Sequence, residues 1–160
     1  MAKAASMEST LVLLKPDAVG RGLVGEIISR FERKGLELAG LKLVLLDRPA
    51  AEEHYGEHKG KAFFEGLVDF VTSGPLVAAV VEGRGAIQVV RAMVGATSGQ
   101  DALPGTIRGD LGVSDRFNLV HASDAPESAA REIHRFFEPS EIVGRGTREW
   151  VYDCSGDAPL

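Results

Sequence analysis

The stretch TLVLLKPDAVGRG, residues 10–22, sets the reading of the whole chain. Its first six residues read as a buried strand, and the proline and glycines behind them as a loop, so Lys15 stands at a strand's C-terminal end. Leu23, Ile27, Ile28 and Phe31 then recur at helical spacing over residues 23–34, and Gly35 stands at the C-terminal stop. A second strand is expected over residues 36–46. Residues 50–73 read as two short helices, the second ending at Ser73-Gly74-Pro75. PLVAAVVEG, residues 75–83, is a third strand, residues 86–93 a helix, and FNLVH, residues 117–121, a fourth strand. A last helix carries Ala129, Ile133, Phe136 and Phe137 on one face. With helices between most strands, the order predicts an α+β fold: a ferredoxin-like βαββαβ sandwich, a four-stranded antiparallel sheet with helices.

The chain has 160 residues, which predicts one domain over residues 1–160 with one sizeable core. Hydrophobic residues make up 44% and charged residues 26%, the composition of a folded globular protein. With 18 basic and 23 acidic residues, no general nucleic-acid surface is expected, and any anion site must be local. The lone cysteine, Cys154, cannot form an intrachain disulfide, and the longest apolar run is too short to span a bilayer. A cytoplasmic protein without membrane contact follows as the expectation. Residues 1–7 are expected to be a frayed extension, with Met7 an alternative start.

Residues 95–117 are rich in Gly, Asp and Arg and read as one long loop before the last strand. Loops of that length usually bind ligands or subunits. Beyond the last strand, Ser123-Asp124-Ala125-Pro126-Glu127 marks a helix start with a side-chain acceptor at the cap, so His121 is presented at a strand-to-helix junction.

Two motif matches are discounted. Gly20, Gly22 and Gly25 form G-x-G-x-x-G, but Pro16-Asp17 interrupts the strand-turn-helix geometry that a dinucleotide fingerprint needs, and the chain is short for two mononucleotide-binding halves. His54, Glu57 and His58 match H-x-x-E-H, yet Gly56 weakens that helix and no third zinc ligand is evident, so a solvated helix end is expected there.

A lone histidine at a strand end is by default a hydrogen-bonded structural residue. The neighbours change that reading for His121. Lys15 ends another strand, while Arg91, Thr97 and Arg108 flank or occupy the long loop, and all could converge on one end of the sheet. Cations and a hydroxyl around phosphate oxygens, with a nucleophile in line, are the groups that phosphoryl transfer uses. Neutral imidazole attacks at pH 7 without prior deprotonation, and its phosphorylated form passes the group on.

NLVHASD, residues 118–124, resembles the N-x-x-H-G-[ST]-D signature of the nucleoside diphosphate kinase family. LLKPDAVGRGLVGEII, HYGEHKGKAFFEGLV, TSGPLVAAVVEG and PGTIRGD resemble that family's other segments in order, over about residues 8–153. The resemblance implies a ping-pong exchange between nucleoside triphosphates and diphosphates through a phosphohistidine, with Mg²⁺ carried by the nucleotide. It makes His121 the nucleophile and Lys15, Arg91, Thr97 and Arg108 the phosphate ligands. Asn118 and Lys15 would bond the sugar hydroxyls, Phe63 would stack on the base, and Tyr55 and Glu132 would orient the imidazole. The tail EPSEIVGRGTREWVYD is similar to the longer C-termini of hexameric members, so a homo-oligomer is expected, a hexamer with a tetramer as the alternative.

Three positions depart from the family pattern: Ala122 follows the histidine where glycine is usual, Lys61 stands where arginine is common, and Asp115 where an apolar residue often covers the base. A nucleotide-binding regulatory module without turnover is the competing function, and retention of His121, Lys15 and both arginines argues against it.

Overall fold

The computed structural model describes residues 6–144. Strand β1 (Met7–Leu14) runs through the centre of the sheet, flanked by β3 (Leu76–Arg84) on one side and the short β4 (Val120–Ala122) on the other. The order is β2-β3-β1-β4, with β2 (Glu37–Val44) at one edge and every pairing antiparallel. This is the ferredoxin-like arrangement expected from the element order.

Strands β1 and β3 are apolar on both faces because both faces are covered. Val12, Leu14, Ala79 and Val81 face α2 (Val24–Arg33) and α5 (Ala86–Val94), where Ile27, Phe31 and Val90 complete one core. Leu11, Leu13, Ala78 and Val80 face Phe136 and Phe137 at the end of α7 (Pro126–Phe136). A third cluster joins α3 (Arg48–His54) to α4 (Phe64–Val71) through Ala51, Tyr55, Phe64 and Val68.

Four sequence-based expectations change. The loop predicted after β1 is a helical turn, α1 (Pro16–Gly20), because proline fits the first helical position, where no N–H is needed. Within the long segment 95–117, Thr106 caps a short helix, α6 (Ile107–Leu111), by accepting the Gly109 N–H. The fourth strand begins only at Val120, since Leu119 holds φ at 69°, outside the extended region. The cap of α7 is Ala125 with Pro126 at the first position, which leaves Ser123 free for the site.

Residues 1–5 and 145–160 lie outside the described residues, and with them most of the expected N-terminal extension, Cys154 and most of the tail that resembles hexameric members.

Candidate active site

A cleft of about 820 Å³ opens beside the C-terminal end of β1, between the α3–α4 hairpin and the segment 95–117. It brings together eight residues named from the sequence (His121, Lys15, Tyr55, Phe63, Arg91, Thr97, Arg108 and Asn118) and the ninth, Glu132.

Strand register aims the histidine. His121 lies opposite Leu13, so its side chain leaves the sheet on the α7 side, while Val120 and Ala122 enter the α2/α5 core. There the carboxylate of Glu132 lies 3.0 Å from His121 Nε2 through Oε2, which also accepts the Ser123 hydroxyl at 2.7 Å. With Nε2 as the donor in this pair, Nδ1 keeps the ring's lone pair. Burial opposes charge on Glu132, but the bonds from His121 and Ser123 outweigh it and hold its pKa down at about 2. Glu132 is therefore a fixed anion beside the ring.

Tyr55 packs edge-on to His121 with ring centroids 5.9 Å apart, and its hydroxyl has no hydrogen-bond partner among the described residues. Burial pushes that hydroxyl's pKa well above its usual value, so it stays protonated. Behind both lies His54, buried, with its ring centroid 4.8 Å from that of His121. The expected solvated helix end is thus wrong for His54, because the last turn of α3 packs inward on Phe136 and Tyr55. His58, by contrast, stays near the surface against Lys61.

Lys15 is buried and donates to Asn118 Oδ1 at 2.7 Å, and Asn118 Nδ2 donates to the Thr97 carbonyl at 3.1 Å. These three residues therefore form one chain of contacts across the cleft floor. Burial, then the neighbouring Arg108 charge, lowers the Lys15 pKa to about 8, and Asp17 opposes the fall. Arg108 donates to the carbonyls of Asn118, Gly95, Ala96 and Val120. Burial and Arg91 bring its pKa down to about 10, still cationic at pH 7. Gly95, with φ 87°, ends α5 so tightly that a Cβ there would fall 2.5 Å from Thr106 Oγ1; the turn carries Thr97 into the cleft. Phe63 stands 53% exposed at the mouth, with Lys61 Nζ 5.7 Å from its ring centroid and the His58 ring 5.3 Å away.

The set joins an imidazole held against a carboxylate, three basic side chains, a hydroxyl and an aromatic platform. That combination suits an anionic, base-bearing phosphate ester. The nucleoside diphosphate kinase family model matches residues 8–142 of the chain. The chain belongs to the nucleoside diphosphate kinase family. A nucleoside diphosphate kinase of Pyrococcus furiosus is 60% identical over 150 residues, covering 91% of this chain and 93% of the relative. One of Chloroflexus aurantiacus is 56% identical over 151 residues, covering 92% and 100%. Among solved structures, a halophilic nucleoside diphosphate kinase from Halobacterium salinarum in complex with CDP superposes with a TM-score of 0.90 at 48% identity, covering 92% of this chain and 100% of that one. The activity is that of a nucleoside diphosphate kinase, a phosphotransferase acting on nucleoside di- and triphosphates, and such kinases generally need a divalent cation. The regulatory-module reading without turnover is not favoured. Among the described residues, no helix is long and apolar enough to cross a membrane.

Two contributors escaped the sequence reading. Ser123 reads as a cap residue but instead ties Glu132 to the sheet, also accepting the Leu11 N–H at 3.3 Å. Asp17 reads as a loop residue but accepts the Leu119 N–H beside the site. Spacing alone carried no signal for either.

Proposed function

We propose that His121 is the phosphorylated nucleophile of a ping-pong reaction, with Nδ1 the attacking atom. The observation that carries this reading is the 3.0 Å contact between His121 Nε2 and Glu132, which leaves Nδ1 as the nitrogen with a free lone pair. Nδ1 attacks the γ-phosphorus of a nucleoside triphosphate, the bond to the bridging oxygen breaks, and the nucleoside diphosphate leaves. A second nucleoside diphosphate then attacks the phosphohistidine through a terminal phosphate oxygen, the N–P bond breaks, and the imidazole is restored. Glu132 offsets the charge that the ring gains as it bonds phosphorus.

Lys15, Arg91, Arg108 and Thr97 hold the phosphates, Asn118 and Lys15 the sugar hydroxyls, and Phe63 the base. Stacking on an exposed ring suits every base, since each offers a π-face. Tyr55 limits rotation of the His121 ring.

The divalent cation is Mg²⁺. Lys15, Arg91 and Arg108 line the cleft and offer no ligand atom to a cation, so they fit a hard, oxygen-seeking ion that arrives on the nucleotide's phosphates. When bound, it would supply positive charge that offsets that of the phosphates, beside the cationic side chains of Lys15, Arg91 and Arg108.

The enzyme is a single-domain, cytoplasmic homo-oligomer that takes free nucleotides rather than nucleic acid. Two apolar surfaces support a homo-oligomer, with a hexamer expected from the tail and a tetramer as the alternative. Leu41, Leu43 and Leu45 are exposed in alternation along the edge strand β2 and just beyond it, and Leu103 and Val113 are exposed on the segment 95–117. An exposed apolar edge strand is a pairing surface.

His121→Ala tests the assignment. Transfer should be lost while nucleotide binding persists, because charge and stacking contacts remain. Full transfer in that variant would refute it.

A further inference from the structure

The phosphoryl-transfer reading leaves His54 without a use. The sequence motif paired it with His58 as zinc ligands, but that pair is separated: His58 Nδ1 lies 3.0 Å from Lys61 Nζ near the surface, while His54 is buried against His121. The rings of Tyr55 and Phe136 pack on His54 edge-on, and a phenylalanine would meet them equally well. Yet the side chain is an imidazole, and neither of its buried nitrogens has a hydrogen-bond partner among the described residues. Buried polar atoms without partners call for a reason, and an absent ion is one.

Ligand atoms of His54, His121 and Glu132 all lie within 4.8 Å of one another. We propose that these three side chains form an inhibitory site for a divalent cation of the zinc class, which captures the nucleophile on its Glu132 side. Two imidazoles and one carboxylate are a donor set of catalytic zinc centres, with bonds of about 2.0–2.2 Å. A ligand triangle of this size accepts such an ion after a small closing movement. Mg²⁺ prefers oxygen ligands and would not compete well.

The consequence for catalysis follows from proton bookkeeping on one ring. In the metal-free site Nε2 carries the proton, donated to Glu132, and Nδ1 carries the lone pair. A cation on Nε2 needs the lone pair there, so the proton passes, with water as carrier, from Nε2 to Nδ1. A protonated Nδ1 cannot attack phosphorus. Lys15, Arg108 and Phe63 are untouched, so nucleotide still binds. The kinetic half of the proposal rests on His121 being the nucleophile, while the binding half does not.

The test uses the full chain with Mg²⁺ and nucleotide, titrated with buffered Zn²⁺. Transfer should fall at least about tenfold, nucleotide affinity should stay within about twofold, and a chelator selective for zinc over magnesium should restore the rate. In His54→Phe, measured against its own metal-free rate, zinc should be at least about tenfold less potent. Equal potency in parent and variant would overturn the site. Co²⁺ gives a readout independent of activity and of the variant's folding. The parent should develop the visible absorption of tetrahedral cobalt at one equivalent, and no band would overturn the proposal. A band with full transfer retained would leave the metal site standing but overturn both the inhibition and the role of His121.

Discussion

The carboxylate of Asp17 accepts the backbone N–H of Leu119 at 3.1 Å, and Leu119 is the one non-glycine among the described residues with positive φ, at 69°. The Val120 N–H closes back on the Asn118 carbonyl at 2.8 Å, a three-residue turn with Leu119 at its centre. Such a turn is strained by about 1–3 kcal/mol and persists only when its surroundings hold it. Asp17 grips its N–H, the Lys15 N–H its carbonyl at 2.8 Å, and Arg108 the carbonyls on either side. The turn connects Asn118 to His121, so its geometry is the geometry of the site.

Asp17→Ala should therefore lower stability by about 1–3 kcal/mol, the cost of leaving a buried N–H without an acceptor. Asp17→Asn keeps an amide oxygen for that N–H and should lose less than half as much. Urea unfolding of both variants beside the parent checks this; equal losses would mean that the charge, not the acceptor, holds the turn.

Lys15 should set the alkaline limit of activity. With its pKa lowered to about 8, mainly by burial, kcat/KM should fall as pH rises through about 8, when the ammonium that faces phosphate is lost. Asp17 opposes that lowering, so in Asp17→Asn the limb should move to lower pH. The sign for stability is the reverse. The folded chain binds fewer protons than the unfolded one between about 8 and 10.5, so the Lys15 contribution to stability rises with pH across that window. A pH–rate profile with no limb near 8 would contradict the placement of Lys15 against phosphate.

Ala122 lies within β4 and is not among the residues with positive φ, so the methyl that replaces the family's usual glycine is unstrained. Ala122→Gly should leave turnover within about threefold and cost up to about 1 kcal/mol through added freedom of the unfolded chain. Thermal unfolding and steady-state rates check it, and a rise in both would mean that the junction is strained after all.

Much of this was legible in the sequence because burial writes a period into it. TLVLLK and PLVAAVVEG announced two central strands, and Ile27, Ile28 and Phe31 the helix that covers them. Of the nine candidate site residues, His121, Lys15, Arg91, Thr97 and Arg108 were singled out by their placement, and the resemblance of motifs added Asn118, Phe63, Tyr55 and Glu132; motifs carry identities but not contacts. The failures are local. Pro16 starts a helix or a loop with equal ease, and nothing in FNLVH signals that a leucine will hold φ at 69°. His54 was tied to His58 by spacing, whereas its real neighbours, His121 and Glu132, are 67 and 78 residues further along the chain and meet it only through sheet register and the packing of α7.

The central claim is that His121 carries the phosphoryl group between nucleotides. The direct measurement is incubation of the full chain with γ-labelled ATP and Mg²⁺, isolation of the protein, and chase with a different nucleoside diphosphate. The account predicts an acid-labile, base-stable label on His121 that the chase removes as the new triphosphate, because a phosphoramidate breaks when protonated and a serine ester does not. An acid-stable label, a label on another residue, or one that the chase cannot remove would contradict it.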